Sequence, residues 1–494
     1  MAAPPLKITR ADRPDTPLPL SQATNTHYQG DYRGALIDVG HADAADLAGK
    51  DLRGAIVLLH PTIFSDGENP PPGSSVTERM TVLKKAGAAL ALVIQSTQRY
   101  WSWGEGLWNA DALPVAVIDE SAGEALAKEI ATHPVRIRAT GTVSSPYAYY
   151  TTNGPRKSIP AQQQVVRQQQ FATVQADYHQ GPAADGYACR YAHFIEPGYP
   201  YAYGGYFPSC TLIGYPASRT EFLQDNGARW QFRAPATAPN LARETFYQNE
   251  GVLKAGQRLT EAPFKAPLLP CAAPLEPPLA PGLTTYTAGR TGDQITMSLT
   301  NLCGPKLDSF VFSDWEDHLN VALYLDGEQI GTDGNAGVDS ADHVYRLVAE
   351  VDRDAAGLSK TSTHSKTEWT FHSAHTDEES ALPLPQIGID LPLGPDNYAL
   401  RSQRQVVRLL PGHQQGAKDV PFTSVTASYS TDDGTTWHDV PVRHGNDDWE
   451  ATIQPGVDNG FVSLRVSGTD KSGNSVTETV TRAYGLTGSK TDQR

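Results

Sequence analysis

The feature that most constrains this chain is a run of short apolar segments, alternating in period, between Asp51 and Leu126. DLRGAIVLLH holds a β-type run, Ala55 to Leu59, preceded by a glycine turn at Gly54. TERMTVLKKAGAALALVI begins as an amphipathic helix, with Met80, Leu83 and Lys84 at helical spacing. Gly87 closes that helix before a buried strand, Leu90 to Ile94. LPVAVIDESAGEALAKEI supplies another strand, Val115 to Ile118, and then a helix from Ser121 whose Ala122, Ala125 and Leu126 share one face. Strand, helix, strand, strand, helix within about seventy residues is a compact α/β unit.

The rest of the chain reads differently. Apolar residues make up 39%, spread as short β-like runs, and 43 glycines and 37 prolines punctuate 494 residues. That length holds roughly three or four domains of about 100–200 residues, and the composition favours a mainly β, multi-domain protein. A formal charge of −15 argues against nucleic acid or an anionic membrane as partner, since both need clustered Lys and Arg. No apolar run approaches the roughly 20 residues of a membrane span. The opening MAAPPLKITRADRPDTPLPL has no apolar core for a signal peptide, so an export signal is not present in this chain.

Four cysteines, Cys189, Cys210, Cys271 and Cys303, permit three pairings. Cys189 with Cys210 and Cys271 with Cys303 is preferred, because each pair closes a short loop between neighbouring strands. Four buried free thiols are the alternative. Zinc is disfavoured, as there is no CxxC and no nearby histidine at ligand spacing. An oxidising, extracellular compartment is the expectation.

Eight segments follow from the pattern. Residues 1–29 form a Pro-rich lead-in with one strand at Leu6 to Thr9, and 30–143 hold the α/β unit, from GALIDVG to VRIRATG. Residues 144–270 are tyrosine-rich, with ten of 21 tyrosines between Tyr147 and Tyr206, and turn clusters mark a β-sandwich or jelly-roll. APLLPCAAPLEPPLAPG, from Ala266, reads as a stiff linker, placed at 271–282. A second β-sandwich spans 283–375, where Asp326-Gly327 marks a type I′ hairpin turn. A bridging segment, 376–420, leads to an immunoglobulin- or fibronectin-like sandwich at 421–486 and a tail at 487–494.

The wording of residues 30–143 resembles a protease-associated domain, the non-catalytic module found in secreted subtilisin-like proteases and some zinc aminopeptidases. LKITRAD, ALIDVGHADAADLAGKDLRGAIVLL, LYLDGEQIG, TEWTFHS and GFVSLRVSGTDKSGNSVTETVTRAYGL carry the likeness further. Together they are similar to the post-catalytic half of large secreted actinobacterial subtilisin-like serine proteases. The resemblance implies an α/β protease-associated domain followed by β-sandwich or jelly-roll and immunoglobulin-like domains. It also implies secretion, and as partner a protein or peptide substrate or an upstream subtilisin-like catalytic domain.

Catalysis of that type needs an Asp, a His in an HGT-type helix start and a Ser in a GTS-type helix start, because Ser passes its proton to a His that Asp orients. No GTS occurs, and His444-Gly445 falls in a turn between strands. Ser74, in PPPGSSVTE, sits in a loop and reads as structural. Zinc chemistry needs ligands converging from several loops. HSAHTDEES, with His372, His375, Asp377, Glu378 and Glu379, reads instead as one solvated loop. There is no HExxH or Walker motif, and Gly104-Glu105-Gly106 lacks the third glycine. No catalytic residue, metal ligand or cofactor is therefore assigned. The turns STDDG and GTDKSGN offer oxygens for structural calcium without a specific motif. Whether the chain is an enzyme stays open, since it resembles part of a serine-type endopeptidase yet shows no triad.

Two features suit binding. QSTQRYWSWGEGLWNAD carries Tyr100, Trp101, Trp103 and Trp108, three of the chain's eight tryptophans within eight residues. Exposed aromatics grip peptides and partner surfaces, and the competing reading is an interdomain seam. PGYPYAYGGYF, Pro197 to Phe207, offers a stacking platform or a sandwich edge. The expected function is that of an accessory, non-catalytic region of a secreted subtilisin-like serine protease, binding substrate or regulating and stabilising the parent peptidase. The alternatives are a stand-alone extracellular adhesion or carbohydrate-binding β protein, and a peptidase with an unrecognised site.

Overall fold

The computed structural model describes residues 6–18, 30–60, 76–94, 113–141, 147–151, 167–181, 185–193, 209–237, 243–273, 287–299, 301–313, 319–332, 334–354, 359–445, 448–456 and 460–488. The protein is mainly β and divides into two compact units, Met1–Ser145 with Thr211–Ile213, and Pro146–Cys210 with Gly214–Arg494.

The first unit contains β1 (Leu6–Arg10), β2 (Arg13–Pro17), β3 (Gly30–Asp38), α1 (Ala44–Leu47), β4 (Ile56–Leu59) and α2 (Val76–Lys85). It continues with β5 (Leu90–Ile94), β6 (Val115–Ile118), α3 (Glu120–Ile130) and β7 (Arg136–Gly141). One sheet runs β2-β1-β7-β3-β4-β5-β6. From β3 to β6 neighbours are parallel, while β7, β1 and β2 add antiparallel on the other side. Strand β3 serves both halves: Gly30–Ala35 pair with β7 and Leu36–Asp38 with β4.

The near-continuous apolar wording of β4, β5 and β6 follows from burial on both faces. Ile56, Leu58, Leu92 and Ile118 pack in the cluster that holds Leu126 of α3. The alternate residues Val57, Leu59, Val93 and Val117 pack with Met80 and Leu83 of α2. Gly87, at φ +90°, ends α2 where a side chain would be strained. Lys84 faces solvent, so the α2 stripe is Met80 and Leu83. In α3 the buried positions are Gly123 and Leu126, and Ala125 is exposed.

The second unit begins with β8 (Tyr147–Tyr150), β9 (Phe171–Tyr178), β10 (Asp185–His193), β11 (Ser209–Gly214), β12 (Ala217–Gln224) and β13 (Arg229–Thr237). Next come β14 (Arg243–Val252), β15 (Arg258–Glu261), β16 (Leu269–Pro270), β17 (Ala288–Gly292), β18 (Gln294–Met297), β19 (Asn301–Cys303) and β20 (Ser309–Ser313). A four-stranded sheet, β15-β9-β12-β8, lies against a sheet that runs β10-β13-β14-β20-β19-β16. Their inner faces meet over a buried ionic network. Arg190 of β10 bonds Glu221 of β12 at 2.7 Å and Glu261 of β15 at 2.7 and 3.0 Å, and it lies 3.9 Å over the Phe232 ring. Tyr178 donates to Glu221 at 2.6 Å and Arg219 completes its shell.

The expected linker is structured at its start: Ala266, Leu268, Leu269, Cys271, Ala272 and Ala273 are buried, and β16 pairs with β19. Burial of these small and apolar side chains, together with the Cys271–Cys303 disulfide, outweighs the tendency of proline to keep the segment extended and exposed.

The remainder comprises β21 (Leu319–Leu325), β22 (Glu328–Thr332), β23 (Gly334–Gly337), β24 (His343–Asp352), β25 (His364–Ser373), β26 (Thr376–Ala381), β27 (Pro385–Asp390) and β28 (Tyr398–Leu400). It closes with β29 (Gln405–His413), β30 (Phe422–Ser430), β31 (His438–Val440), β32 (Val442–His444), β33 (Trp449–Ile453), β34 (Gly460–Asp470) and β35 (Ser475–Thr487). A long sheet, β22-β21-β24-β25-β35-β34-β30-β31, faces the sheet β27-β29-β33-β32. One core cluster runs from Leu269 through Trp369, Ile387 and Leu409 to Leu486. Asp326 and Gly327, at φ +51° and +84°, form the two-residue turn between β21 and β22 that the sequence predicts. Arg353, just past the end of β24, binds Glu244 of β14 in a buried bidentate pair at 2.7 and 2.8 Å.

Candidate functional site

In parallel α/β sheets, polar groups gather where the strands end, because loops there are freed from the core. In the first unit β3 ends on Asp38 and β4 is followed by His60, each a polar residue closing an apolar run. His60 Nε2 lies 3.1 and 3.2 Å from the Asp38 carboxylate oxygens, both side chains half-buried. The backbone N–H of Gly40 donates to Asp38 Oδ1 at 2.9 Å, and Lys50 Nζ donates to the Asp38 carbonyl at 2.7 Å. His41 lies beside the pair, its Nδ1 3.0 Å from the His60 carbonyl oxygen, while Asp46 accepts from the His41 N–H.

Burial pulls the Asp38 pKa upward, but hydrogen bonds from His60 and Gly40 outweigh it and hold the carboxyl below its ordinary value. The same contact with Asp38 raises His60 against an opposing effect of burial. The corner is a polar, hydrogen-bonding edge with an oriented imidazole. Among the described residues no hydroxyl or thiol is hydrogen-bonded to the His60 ring. Such an edge suits recognition of a polar backbone. GALIDVG and AIVLLH contain these residues, and the sign that marks them is a polar residue ending an apolar strand run.

Tyr100, Trp101, Trp103 and Trp108 lie outside the described residues, as do Ser74, Gly104-Glu105-Gly106 and Pro197 to Phe207. The segment with the tryptophans follows β5, whose carboxyl end lies in register beside that of β4. HSAHTDEES differs from expectation: Asp377, Glu378 and Glu379 belong to β26, which pairs with β17 through Ser380 and Ala381. His375 binds Asp293 at 2.8 Å and His372 approaches Asp342 at 3.8 Å, so the two histidines diverge to separate carboxylates. No group of three or more His, Cys, Asp or Glu among the described residues is placed to hold a metal ion.

In STDDG, Asp432 accepts from Ser430 and Thr436. In GTDKSGN, Asp470 accepts from Ser472, Asn474 and His413. Both carboxylates therefore close their own turns. Cys271 and Cys303 are disulfide-bonded, and Cys189 is disulfide-bonded too, whereas the Cys210 side chain lies outside the described residues. No helix among the described residues is long and apolar enough to cross a membrane.

Fold and site define a mainly β, multi-domain protein with a mixed α/β module whose parallel strands end in a polar corner. No family model and no curated protein matches the chain. Among solved structures, an aminopeptidase from Aneurinibacillus sp. strain AM-1 is similar over 28% of this chain and 31% of its own, at 20% identity and TM-score 0.22. BSAP, a zinc aminopeptidase from Bacillus subtilis, matches 27% of this chain and 29% of its own, at 17% identity and TM-score 0.21. The psychrophilic subtilisin-like protease Apa1, from the Antarctic psychrotroph Pseudoalteromonas sp. AS-11, matches 28% and 33%, at 15% identity and TM-score 0.19. The chain spans about a third of the length of these proteins. Likeness at this level assigns no activity.

Proposed function

We propose that the chain is the accessory, non-catalytic region of a secreted subtilisin-like serine protease, and that its α/β module binds protein or peptide substrate. The observation that carries the reading is the module itself. Residues 30–143, whose wording resembles a protease-associated domain, supply five strands of the mixed seven-stranded sheet and the helices on both its faces. Its polar corner at Asp38 and His60 offers hydrogen bonds to a peptide backbone, and Trp101 and Trp103 would add apolar anchors. Replacing both tryptophans by Ala is expected to weaken capture of unfolded casein at least about ten-fold while the melting temperature holds. Full binding in that variant would remove the tryptophans from the reading. The purified chain is also expected to leave casein uncut and a fluorophosphonate probe unreacted. Stoichiometric labelling abolished by one Ser→Ala change would make it a peptidase instead.

A further inference from the structure

The outer face of the sheet β15-β9-β12-β8 is unlike an ordinary solvated sheet face. Cross-strand register places Tyr147, Thr220, Gln175 and Thr260 in one row, and Tyr149, Phe222, Thr173 and Arg258 in the next. Tyr147 and Tyr149 are 50% and 59% exposed, on the short strand β8. Their rings are held rather than loose. Tyr149 stacks on Phe222 at 4.6 Å and 14° and meets Phe171 edge-on at 5.7 Å, while Tyr147 tilts 30° to Phe222. Rigid exposed rings lose little entropy when something lies on them.

Beside the rings runs a chain of oriented polar groups. Thr220 donates to Gln175 at 3.1 Å, the Gln175 amide donates to Ser218 at 3.0 Å, and Ser218 donates to Asp177. Asp177 and Thr260 then also line a cleft of about 280 Å³ with His179, Lys265, Lys306 and Asp390. His179 is 4% exposed, and its Nδ1 is buried with no hydrogen-bond partner. Burial, helped by the Lys265 charge, lowers its pKa to about 4, so the ring is neutral. The Lys265–Asp390 pair, at 2.6 Å, also lines the cleft.

We infer that this face and cleft form one binding site for a neutral oligosaccharide. The charge balance selects that class. Asp177, Asp308 and Asp390 are offset by Lys265, Lys306 and Arg258, and Glu261 by its pair with Arg190, so the surface complements an uncharged polar ligand, whereas a polyanion needs a cationic surplus. Sugar rings present C–H faces to aromatic rings and hydroxyls to amide, hydroxyl and carboxylate groups, which is the mixture found here. Four strands at about 4.8 Å spacing make a track of about 14 Å, long enough for several sugar units.

The test is calorimetric titration of the full chain with soluble cellulose-, xylan-, starch- and chitin-derived oligosaccharides. At least one is expected to bind, with Tyr147→Ala and Tyr149→Ala each weakening it about ten-fold and Tyr149→Phe keeping it within about two-fold. Should Tyr149→Ala fail to fold, Tyr147→Ala and Tyr149→Phe carry the test. No binding at millimolar sugar overturns the proposal, as does binding indifferent to both tyrosines. An uncharged extended peptide that binds this face in place of every sugar overturns it too. None of these outcomes bears on peptide capture by the first unit, which Trp101 and Trp103 test separately.

Discussion

Glu478 is a buried carboxyl of the second unit with one oxygen left without a partner. It points from β35 into the core, where its Oε1 accepts from the Ile387 N–H at 3.0 Å and its Oε2 has no partner. Burial pushes its pKa up to about 8. An acid raised above its unfolded value of 4.5 stabilises the fold fully below that value, and the gain is lost as pH rises through about 8. Glu221 works in the opposite sense. Burial would raise it, but Arg190 and Arg219 win and set it at about 2, so its contribution is present above 4.5 and lost as pH falls toward 2. Together they predict greatest stability near pH 4.5, declining toward pH 8 by up to about 1.4 kcal/mol per unit. Glu478→Gln is expected to flatten the alkaline limb and to raise the melting temperature at pH 8, as read by calorimetry across pH. An unchanged limb would mean that Glu478 is solvated in the native ensemble. Arg190→Met should be far more damaging. It leaves Glu221 and Glu261 buried without their shared guanidinium, a loss of about 3–5 kcal/mol in urea unfolding.

At the scale of elements, α3 shows why a helix with Leu126 on its buried face is legible while its closest-packed position is not. A Cβ on Gly123 would stand 2.5 Å from Ile94 Cγ1, so this helix approaches β5 through a residue with no side chain. Hydrophobic periodicity selects Ala125 over Gly123, because a glycine adds nothing to an apolar stripe while permitting the closest contact. Gly123→Ala should therefore cost about 1–3 kcal/mol by overpacking, and Ile94→Ala in the same chain, which removes both γ carbons, should recover part of it. Additive losses in that double-mutant cycle would dismiss the contact. The strands were legible for the opposite reason. β24 and β25 alternate in and out of one core, so VYRLVAEVD and TEWTFHS announce both their type and their faces. β16 and β26 were hidden, since the first is two residues of a proline-rich run and the second is acidic on its exposed face. The corner at Asp38 and His60 was hidden too, because its residues are 22 apart in sequence and meet only through the parallel pairing of β3 and β4. For the disulfide, spacing sufficed to suggest Cys271 with Cys303. Closing that 32-residue separation should contribute about 4 kcal/mol, so Cys271→Ala with Cys303→Ala should lower urea stability by an amount of that order.

Across the whole molecule, local pattern gives strands but does not say which strands share a sheet. The pattern makes 376–420 a bridging segment between two sandwiches, and seven residues of β25, His364 to Thr370, pair with Thr481 to Ser475 of β35. The long sheet thus runs through both regions, and β27, from within the bridge, supplies Ile387 to the core and a hydrogen bond to Glu478. β28, from the same bridge, pairs parallel with the end of β35. A fragment of residues 421–488 would keep β30 to β35 but expose one edge of β35 and the apolar faces that β27 and β29 cover. Unpaired edges and uncovered core are what prevent small sheets from folding alone. That fragment is expected to show no cooperative thermal transition and little amide dispersion, whereas in the full chain these strands should melt together with β24 and β25. A sharp, reversible transition from the fragment would show that the terminal strands form a self-sufficient sandwich, and that their pairing with β25 is a docking contact rather than a shared core.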